Sequence, residues 1–487
     1  MVEVEKLSIP PIYFDLLPTS LQEENKNTTL IQIKNSLLWL FYLYDLQKDK
    51  RDRVIKELLK IDYMTQLNLH PEFDPLAFFL YFQERCKELI LSIKKNLKRI
   101  DKYEIKHPGL IIASIYSAWP QPGILTENEY KLLREIVKNP AGSFREWSKN
   151  AGISLAGVKY SFDRLKKKVM LRIWSQINFT SIKLRNYLVM FSGIQNEDEV
   201  EFLKEKFLRN IWCKTVFSFA SHPNSLFVSI TIPSHTRCIN TFLNSMKTFQ
   251  ELENVIVYEK NETFLSYNFT SYDPKTGWNF SPLTWIMFSL SDASKDYMEY
   301  LKKINTMHRI PYENAHHLNF SKKDLYIIAA LSRDFRIKTT ALSEISGYPL
   351  PTVSKKKKDF VKKKIIYPLP CIANIGLSSS ISLLWEISNK DVEYILHALS
   401  ELPYVIGYRM REIYPSKRNY LMTFLFLPGT VSSRLIKNLR EIGEHYGLKE
   451  LFYERKGPGS FTIDRFINRW DEKRQNWLWY ESDFEFL

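Results

Sequence analysis

Sliding the 487-residue sequence against itself by 195 positions brings Val158 onto Val353, and the register holds without a gap over a long span. Thr126 falls on Ser321, Glu129 on Asp324, Gly152 on Gly347 and Leu165 on Phe360. Further on, Leu188 falls on Leu383, Asn224 on Asn419, Ile232-Pro233-Ser234 on Leu427-Pro428-Gly429, and Val257–Lys260 on Phe452–Arg455. Apolar, turn and charged positions match in one register. A repeat this long exceeds any solenoid unit and fits a duplicated two-domain block. The fold must therefore hold two similar blocks in one chain.

Within each block the chemistry concentrates on one stretch. In the second block, Thr352–Ile366 places seven lysines, Lys355–Lys358 and Lys362–Lys364, in ten residues. Val353, Phe360, Val361 and Ile365 recur at helical spacing, so the stretch predicts a helix with one apolar side and a cationic remainder. Leu342–Gly347 before it reads as a short helix closed by a glycine, the pattern of a helix-turn-helix. A lone lysine run is most often a solvated face, but this one has a counterpart. In the first block, Thr126-Glu-Asn-Glu129 is a capping-box pattern, and Leu132, Leu133, Ile136 and Val137 give an apolar face. Ser143 can cap Phe144–Asn150, Ala151-Gly-Ile153 turns, and Ser154 can cap a third helix with Val158, Phe162, Leu165 and Val169 inward. Met170–Trp174 and Gln176–Phe179 are expected to pair as the strands of a wing.

After the helices each block reads β-α-β-β-α-β. In block one the elements are Tyr187–Phe191, Asp198–Asn210, Lys214–Ala220, Leu226–Ile232, Thr236–Phe249 and Asn254–Glu259. In block two the unit runs from Ile381–Glu386 to about Arg455. Upstream of both, Leu37–Tyr44 and Leu76–Phe82 are continuous apolar runs read as strands, with further strands at Met64–His70 and Lys102–His107. With helices at Lys50–Ile61 and Glu84–Ile100 between them, they suggest a third unit of the same plan.

The fold class expected is α+β, two winged helix-turn-helix domains alternating with three ferredoxin-like βαββαβ domains. The boundaries are an arm at 1–30, a ferredoxin-like domain at 31–119, winged helix-turn-helix one at 120–180 and ferredoxin-like domain two at 181–262. A linker at 263–318 with a helix at Ser294–Thr306 follows. Winged helix-turn-helix two spans 319–376, ferredoxin-like domain three 377–456, and an aromatic, charged tail 457–487. Trp470, Trp477, Trp479 and Tyr480 of the tail are expected to pack back on the body.

The formal charge of +15 favours a polyanionic partner without choosing between nucleic acid and acidic membrane. No apolar run reaches the roughly 18 residues of a membrane span, and no secretory leader is evident. The four cysteines, Cys86, Cys213, Cys238 and Cys371, form no Cys-x-x-Cys pair, which suggests a reducing compartment and a cytoplasmic location.

The two blocks resemble the Lrp/AsnC (feast/famine) family of transcription regulators over about residues 124–260 and 319–455. The residues that carry the likeness in block two are Asp324, Ile327-Ile328, Leu331, Asp334, Arg336, Leu342, Gly347, Thr352-Val353 and the basic helix to Ile365-Ile366. In block one they are Glu129, Leu132-Leu133, Ser154, Val158, Leu165 and the lysines beyond. The resemblance implies a winged helix-turn-helix that binds double-stranded DNA, followed by a βαββαβ effector-sensing domain. It implies no catalysis, no cofactor and no metal site. Pairing of the ferredoxin-like domains with another chain, as a homo-oligomer, would follow family habit. Departures lie at the sensor turn, which reads Ser416-Lys-Arg-Asn-Tyr420 and His222-Pro-Asn-Ser225, at Pro349 in place of the cap Ser154, and at Lys357 in place of the inward Phe162.

The expected DNA-binding residues are Ser154, Gly157, Lys159, Tyr160, Ser161, Arg164, Lys166, Lys167 and Lys168 in block one. In block two they are Thr352, Ser354, Lys355, Lys356, Lys358, Lys362, Lys363 and Lys364. The early ones would face base edges and the late lysines phosphates. Any small-molecule effector would meet Asn224, Asn419 and Tyr420. Two other readings stand beside the regulator. One is an enzyme resembling the siroheme decarboxylases, which would need His222, Arg409 and Arg411 to converge on a tetrapyrrole. The other is a scaffold that binds RNA and DNA by charge alone. His308 and His316-His317 lack acidic or cysteine partners at metal spacing.

Overall fold

The computed structural model describes every residue except 1–8, 23–26, 59–65, 71–72, 74, 83–85, 109, 112–114, 116–124, 250–253, 282–284, 286–306, 313–318, 374, 378, 389–391, 429–432, 454, 457–462 and 486–487. It divides into two compact units, essentially residues 1–121 and 122–487, with 457–460 belonging to the first. The protein is α+β, and the strands among the described residues lie in the second unit.

The first unit is helical among the described residues. Its main elements are α1 (Thr28–Asp45), α2 (Lys48–Leu58), α3 (Pro75–Phe82) and α4 (Cys86–Lys102). The strands expected at Leu37–Tyr44 and Leu76–Phe82 are therefore corrected to helix, and no strand occurs among the described residues of 64–70 or 102–107. Among the described residues the third ferredoxin-like unit expected at 31–119 does not occur. The reason is physical. Leu30, Ile33, Leu37, Leu40 and Phe41 are buried in α1, a stripe at three- and four-residue steps that began before the apolar run. Asn27 caps that helix, its side chain accepting from the Leu30 N–H at 3.2 Å. A run apolar on every side fits a buried helix as well as a buried strand.

The second unit carries both copies of the repeat. Helices α5 (Glu127–Lys138), α6 (Phe144–Ala151) and α7 (Leu155–Lys168) lead into β1 (Arg172–Ile177). Next come β2 (Leu184–Ser192), α8 (Glu197–Arg209), β3 (Cys213–Phe219), β4 (His222–Pro233), α9 (Thr236–Thr248) and β5 (Asn254–Tyr267). Short strands β6 (Tyr272–Asp273), β7 (Gly277–Trp278) and β8 (His308–Pro311) follow. The helix expected at Ser294–Thr306 lies outside the described residues. Copy two has α10 (Lys322–Arg333), α11 (Thr339–Ser346), α12 (Leu350–Lys362) and β9 (Ile366–Cys371). It continues with β10 (Ser379–Glu386), α13 (Val392–Ser400), β11 (Tyr404–Tyr414), β12 (Asn419–Leu427), α14 (Ser433–His445), β13 (Leu448–Tyr453) and β14 (Arg455–Lys456).

The expected wing is not a hairpin. Arg172–Ile177 is one strand, and it pairs antiparallel with β9 of the other copy. Trp174 faces Leu369, its own counterpart under the 195-residue shift, while Ile173 faces Pro370 and Ser175 faces Pro368. A position that meets its own copy marks a local two-fold axis, as in an isologous dimer contact. Main-chain bonds from Asn178 N to Ile365 O (2.8 Å) and from Ala373 N to Val169 O (3.2 Å) flank the pair. The strand that each copy would fold back on itself is used instead to join the copies.

The same exchange builds the large sheet. Each βαββαβ unit has its strands in the order fourth, first, third, second: β5-β2-β4-β3 and β13-β10-β12-β11. The second strand of copy two, β11, pairs antiparallel with the fourth strand of copy one, β5. At the other edge β14, the continuation of β13, pairs with β3, so the sheet curls back on itself. Its outer faces carry the helices. Its inner faces meet in an aromatic and methionine cluster that includes Phe217, Phe219, Phe227, Met410, Met422, Phe424 and Phe452.

Of the tail residues expected to pack back, Trp470 and Trp477 do, Trp479 is half-buried, and Tyr480 is exposed. Trp470 and Trp477 are buried, and their indole N–H groups donate to Phe320 O (3.0 Å) and Ile182 O (2.6 Å), one in each copy. The helix-turn-helix turns depend on glycine. Gly152 and Gly347 end α6 and α11 with φ of 66° and 67°, a left-handed conformation that L side chains rarely take. Gly152→Ala or Gly347→Ala should each cost about 1 kcal/mol, because the Cβ meets strain rather than contact. A lowered urea midpoint without loss of helical circular dichroism is the readout, and an unchanged midpoint would show that the turn relaxes.

Candidate nucleic-acid interface

Both third helices are set by caps and by an inward apolar side. The Ser154 hydroxyl accepts from Gly157 N–H (3.1 Å) at the start of α7. Val158, Phe162 and Leu165 are buried, and Phe162 stacks on Trp147 at 5.8 Å. On α12 Pro349 sits at the cap without a side-chain bond, Pro351 lies in the first turn, and Val353 and Phe360 are buried.

The outward faces differ from the expected list in two respects. The first helices begin with capping boxes, Thr126 with Glu129 and Ser321 with Asp324. Both acids are buried, at 1 % and 4 % exposure. Each draws cations off the third helix. Arg164 Nε lies 2.6 Å and Lys168 Nζ 2.7 Å from the Glu129 carboxylate. Lys356 Nζ lies 2.6 Å from Asp324. Burial alone would raise the Glu129 pKa, but the bonds from Lys168, the Thr126 N–H and Arg164 outweigh it and hold the carboxyl below its usual range. Arg164, Lys168 and Lys356 therefore pin the third helices to the first ones. Ser161 is buried, so its hydroxyl cannot face a base edge.

The remaining expected residues lie on or near the surface. Ser154, Lys159 and Lys167 are exposed, Tyr160 is 64 % exposed, and Gly157 and Lys166 are half-buried. Lys166 lies over the Phe162 ring, and Tyr160 accepts a hydrogen bond from Arg164 (2.9 Å). On α12 and just beyond it Ser354, Lys355, Lys358, Lys362, Lys363 and Lys364 are exposed, and Thr352 is half-buried. Five of the seven lysines of the run thus point to solvent. Lys357, where Phe162 stands in copy one, lies over the Phe335 ring at 4.3 Å and donates to the Phe335 carbonyl, and burial lowers its pKa to about 8.

A residue outside the expected site ties the copies together. Arg336 of copy two donates to Gly142 O (2.5 Å) of copy one, and its guanidinium lies 4.3 Å from the Trp147 ring. Its repeat partner is Ala141, so the duplication gave no hint of it.

The proposed effector residues lie at two hairpins, one in each copy. Asn224 is exposed at the β3–β4 hairpin, while Asn419 and Tyr420 start β12 at the other hairpin. Tyr420 is buried edge-on against Tyr258 at 5.1 Å. Burial, with Glu412 and Glu386 nearby, pushes its hydroxyl up to about 12. His222, Arg409 and Arg411 do not converge either. The His222 ring lies against Phe452 with Nε2 3.5 Å from Glu450. Arg409 and Arg411 alternate with the inward Met410 and so occupy the opposite face of β11. His308 is bonded to Val137 O (2.7 Å), and His316-His317 lie outside the described residues. Among the described residues no cluster of three metal-binding side chains occurs, and no helix is long and apolar enough to cross a membrane.

No protein-family model matches the sequence, and no curated protein does. Among solved structures the siroheme decarboxylase NirDL is similar at 10% identity, over 70% of this chain and 97% of that one, with a TM-score of 0.43. Its co-complex with an iron-uroporphyrin III analogue gives 10% identity, 70% and 98% coverage, and a TM-score of 0.40. PH0061 gives 16% identity over 27% of this chain and 90% of that one, with a TM-score of 0.22. With TM-scores below 0.5, these likenesses carry no inference about the present chain.

Proposed function

We infer that the chain is a non-catalytic, DNA-binding transcription regulator that holds duplex DNA with α7 and α12 together. The observation that supports this reading is the β1–β9 pairing, in which Trp174 meets its repeat counterpart Leu369 about a local two-fold, the kind of contact through which two chains of a dimer join. Exposed Lys159 and Lys167 on one third helix, and Lys355, Lys358, Lys362 and Lys363 on the other, supply charge for phosphates, and exposed Tyr160 adds a hydroxyl. Lysine is a point charge without the fork of arginine, so α12 suits backbone contact better than strict base choice.

Selection of bound duplexes from genomic fragments, followed by footprinting, tests the reading. Two protected patches about one helical turn (~34 Å) apart are expected, with affinity falling steeply as salt rises. Equal affinity for single-stranded RNA, with no preferred duplex, would replace the regulator by a charge-driven scaffold.

A further inference from the structure

The curled sheet encloses a second site-like feature, away from the helix-turn-helix pair. Lys260 ends the Val257–Lys260 motif on β5, and Arg455 is its repeat counterpart on β14. Both face the space between the two half-sheets. Lys260 is buried at 7 % exposure, its Nζ donating to Ser229 Oγ (2.8 Å) and lying 4.1 Å from the Tyr408 ring. The Arg455 guanidinium lies 4.2 Å from the Phe217 ring and 5.4 Å from the Phe424 ring. Phe424 is in turn 6.0 Å from Tyr408, so the two cations share one aromatic wall. Lys214, at the irregularity in β3 between Cys213 and Thr215, adds a third charge.

Among the described residues no carboxylate pairs with Lys214, Lys260 or Arg455. The three cations instead oppose one another. Burial, then Lys214 and Arg455, drive the Lys260 pKa well below the usual lysine value, and burial lowers that of Lys214 to about 8. Natural interiors rarely keep like charges together without a counter-charge, because each is costly to desolvate alone. Solvent reaches this end of the sheet. Lys214 and Tyr408 are half-buried and Arg455 is exposed, while Lys260 is buried.

We propose that this end of the inter-sheet space binds a flat organic anion with at least two acidic groups, held by Lys260, Arg455 and Lys214 against the rings of Tyr408, Phe424 and Phe217. The cations neutralise the acidic groups by charge-assisted hydrogen bonds. The aromatic wall favours a planar body over a compact inorganic ion. The site is independent of the DNA reading and is built from residues other than Asn224, Asn419 and Tyr420. Its ligand would therefore be an effector recognised by shape and charge, not an amino acid held at the hairpins.

Thermal melting of the full chain with three probes tests this. Isophthalate, a planar dicarboxylate, should raise the melting midpoint by several degrees at millimolar concentration. Isophthalamide, with the same shape and no charge, should not, and inorganic phosphate should do so less. Lys260→Met and Arg455→Met should each weaken the isophthalate response about tenfold or more. Without any anion, Lys260→Met should melt at or above the wild-type temperature, because an unpaired buried charge has been removed. Should Lys260→Met fail to fold, Arg455→Met, at a more exposed position, decides the matter. Equal shifts with isophthalate and isophthalamide, no shift with isophthalate, or an undiminished response in Arg455→Met would overturn the proposal.

Discussion

A chain carrying Lys355→Ala, Lys358→Ala, Lys362→Ala and Lys363→Ala should bind its preferred duplex about a thousandfold more weakly near physiological salt. The same four changes should flatten the plot of log affinity against log salt by about 3.6, since each lost phosphate contact removes roughly 0.9 from the slope. All four side chains are exposed, and exposed substitutions shift stability by only about 0.5 kcal/mol or less. Melting should therefore be unchanged while binding collapses. Lys356→Ala provides the contrast. Its ammonium is committed to Asp324, so its loss should lower stability and leave the salt slope nearly as it was. An unaltered affinity in the quadruple variant would remove α12 from the interface and leave the cationic run as a solvated surface.

The contrast between neighbouring lysines explains what could be read from the sequence and what could not. Helical spacing put Val353 and Phe360 inside α12, and Val158, Phe162 and Leu165 inside α7, because burial of a helix face has a period that residues reveal. The caps Thr126, Ser143 and Ser154 were equally legible, since a hydroxyl before an apolar-periodic stretch has a local job. The order of strands and helices in the first βαββαβ unit followed from alternation and turn residues, and the repeat carried the plan to the second. Partnership across the chain did not. Arg172–Ile177 has the composition of a strand whether it pairs with its neighbour or with β9, and only the packing of two copies decides. Leu37–Tyr44 misled for the opposite reason. With every position apolar, the run contained no period to read, and the helix-forming stripe was visible only with Leu30 and Ile33 included.

Charge was the least legible property. A sequence shows that a cation exists, not whether a buried acid has already claimed it. Glu129 and Asp324 stand at the third position of their helices, where an acid usually reaches back to the cap and stays at the surface. Here that position also faces the third helix, so the two acids do both tasks. Cations that an electrostatic reading assigns to DNA become struts, and the DNA-facing charge is smaller than the composition suggests. The same lesson runs in reverse at Lys260 and Arg455, which the repeat aligned with each other but whose want of an acidic partner only the fold exposes.

Glu129→Ala should destabilise the first helix-turn-helix by about 3 kcal/mol. The loss combines a broken capping box, about 1 kcal/mol, with the removal of a buried charge that two cations share. The figure sits at the low end for a broken buried pair because Arg164 and Lys168, with side chains 40% and 23% exposed, can turn to water. Faster hydrogen exchange along α5 and α7, with β2–β5 unchanged, is the expected pattern. Its pH dependence has a definite sign. Glu129 is held below the usual carboxyl range in the folded chain. Its contribution is complete above the unfolded pKa of about 4.3 and fades as the pH drops through the lower folded value. The gap in stability between wild type and Glu129→Gln should therefore be widest near neutrality and close on acidification. Asp324→Asn should show a smaller gap, because one cation, Lys356, depends on it instead of two. If Glu129→Gln matched wild type at neutral pH, Arg164 and Lys168 would be surface charges after all, and both would return to the DNA-facing set.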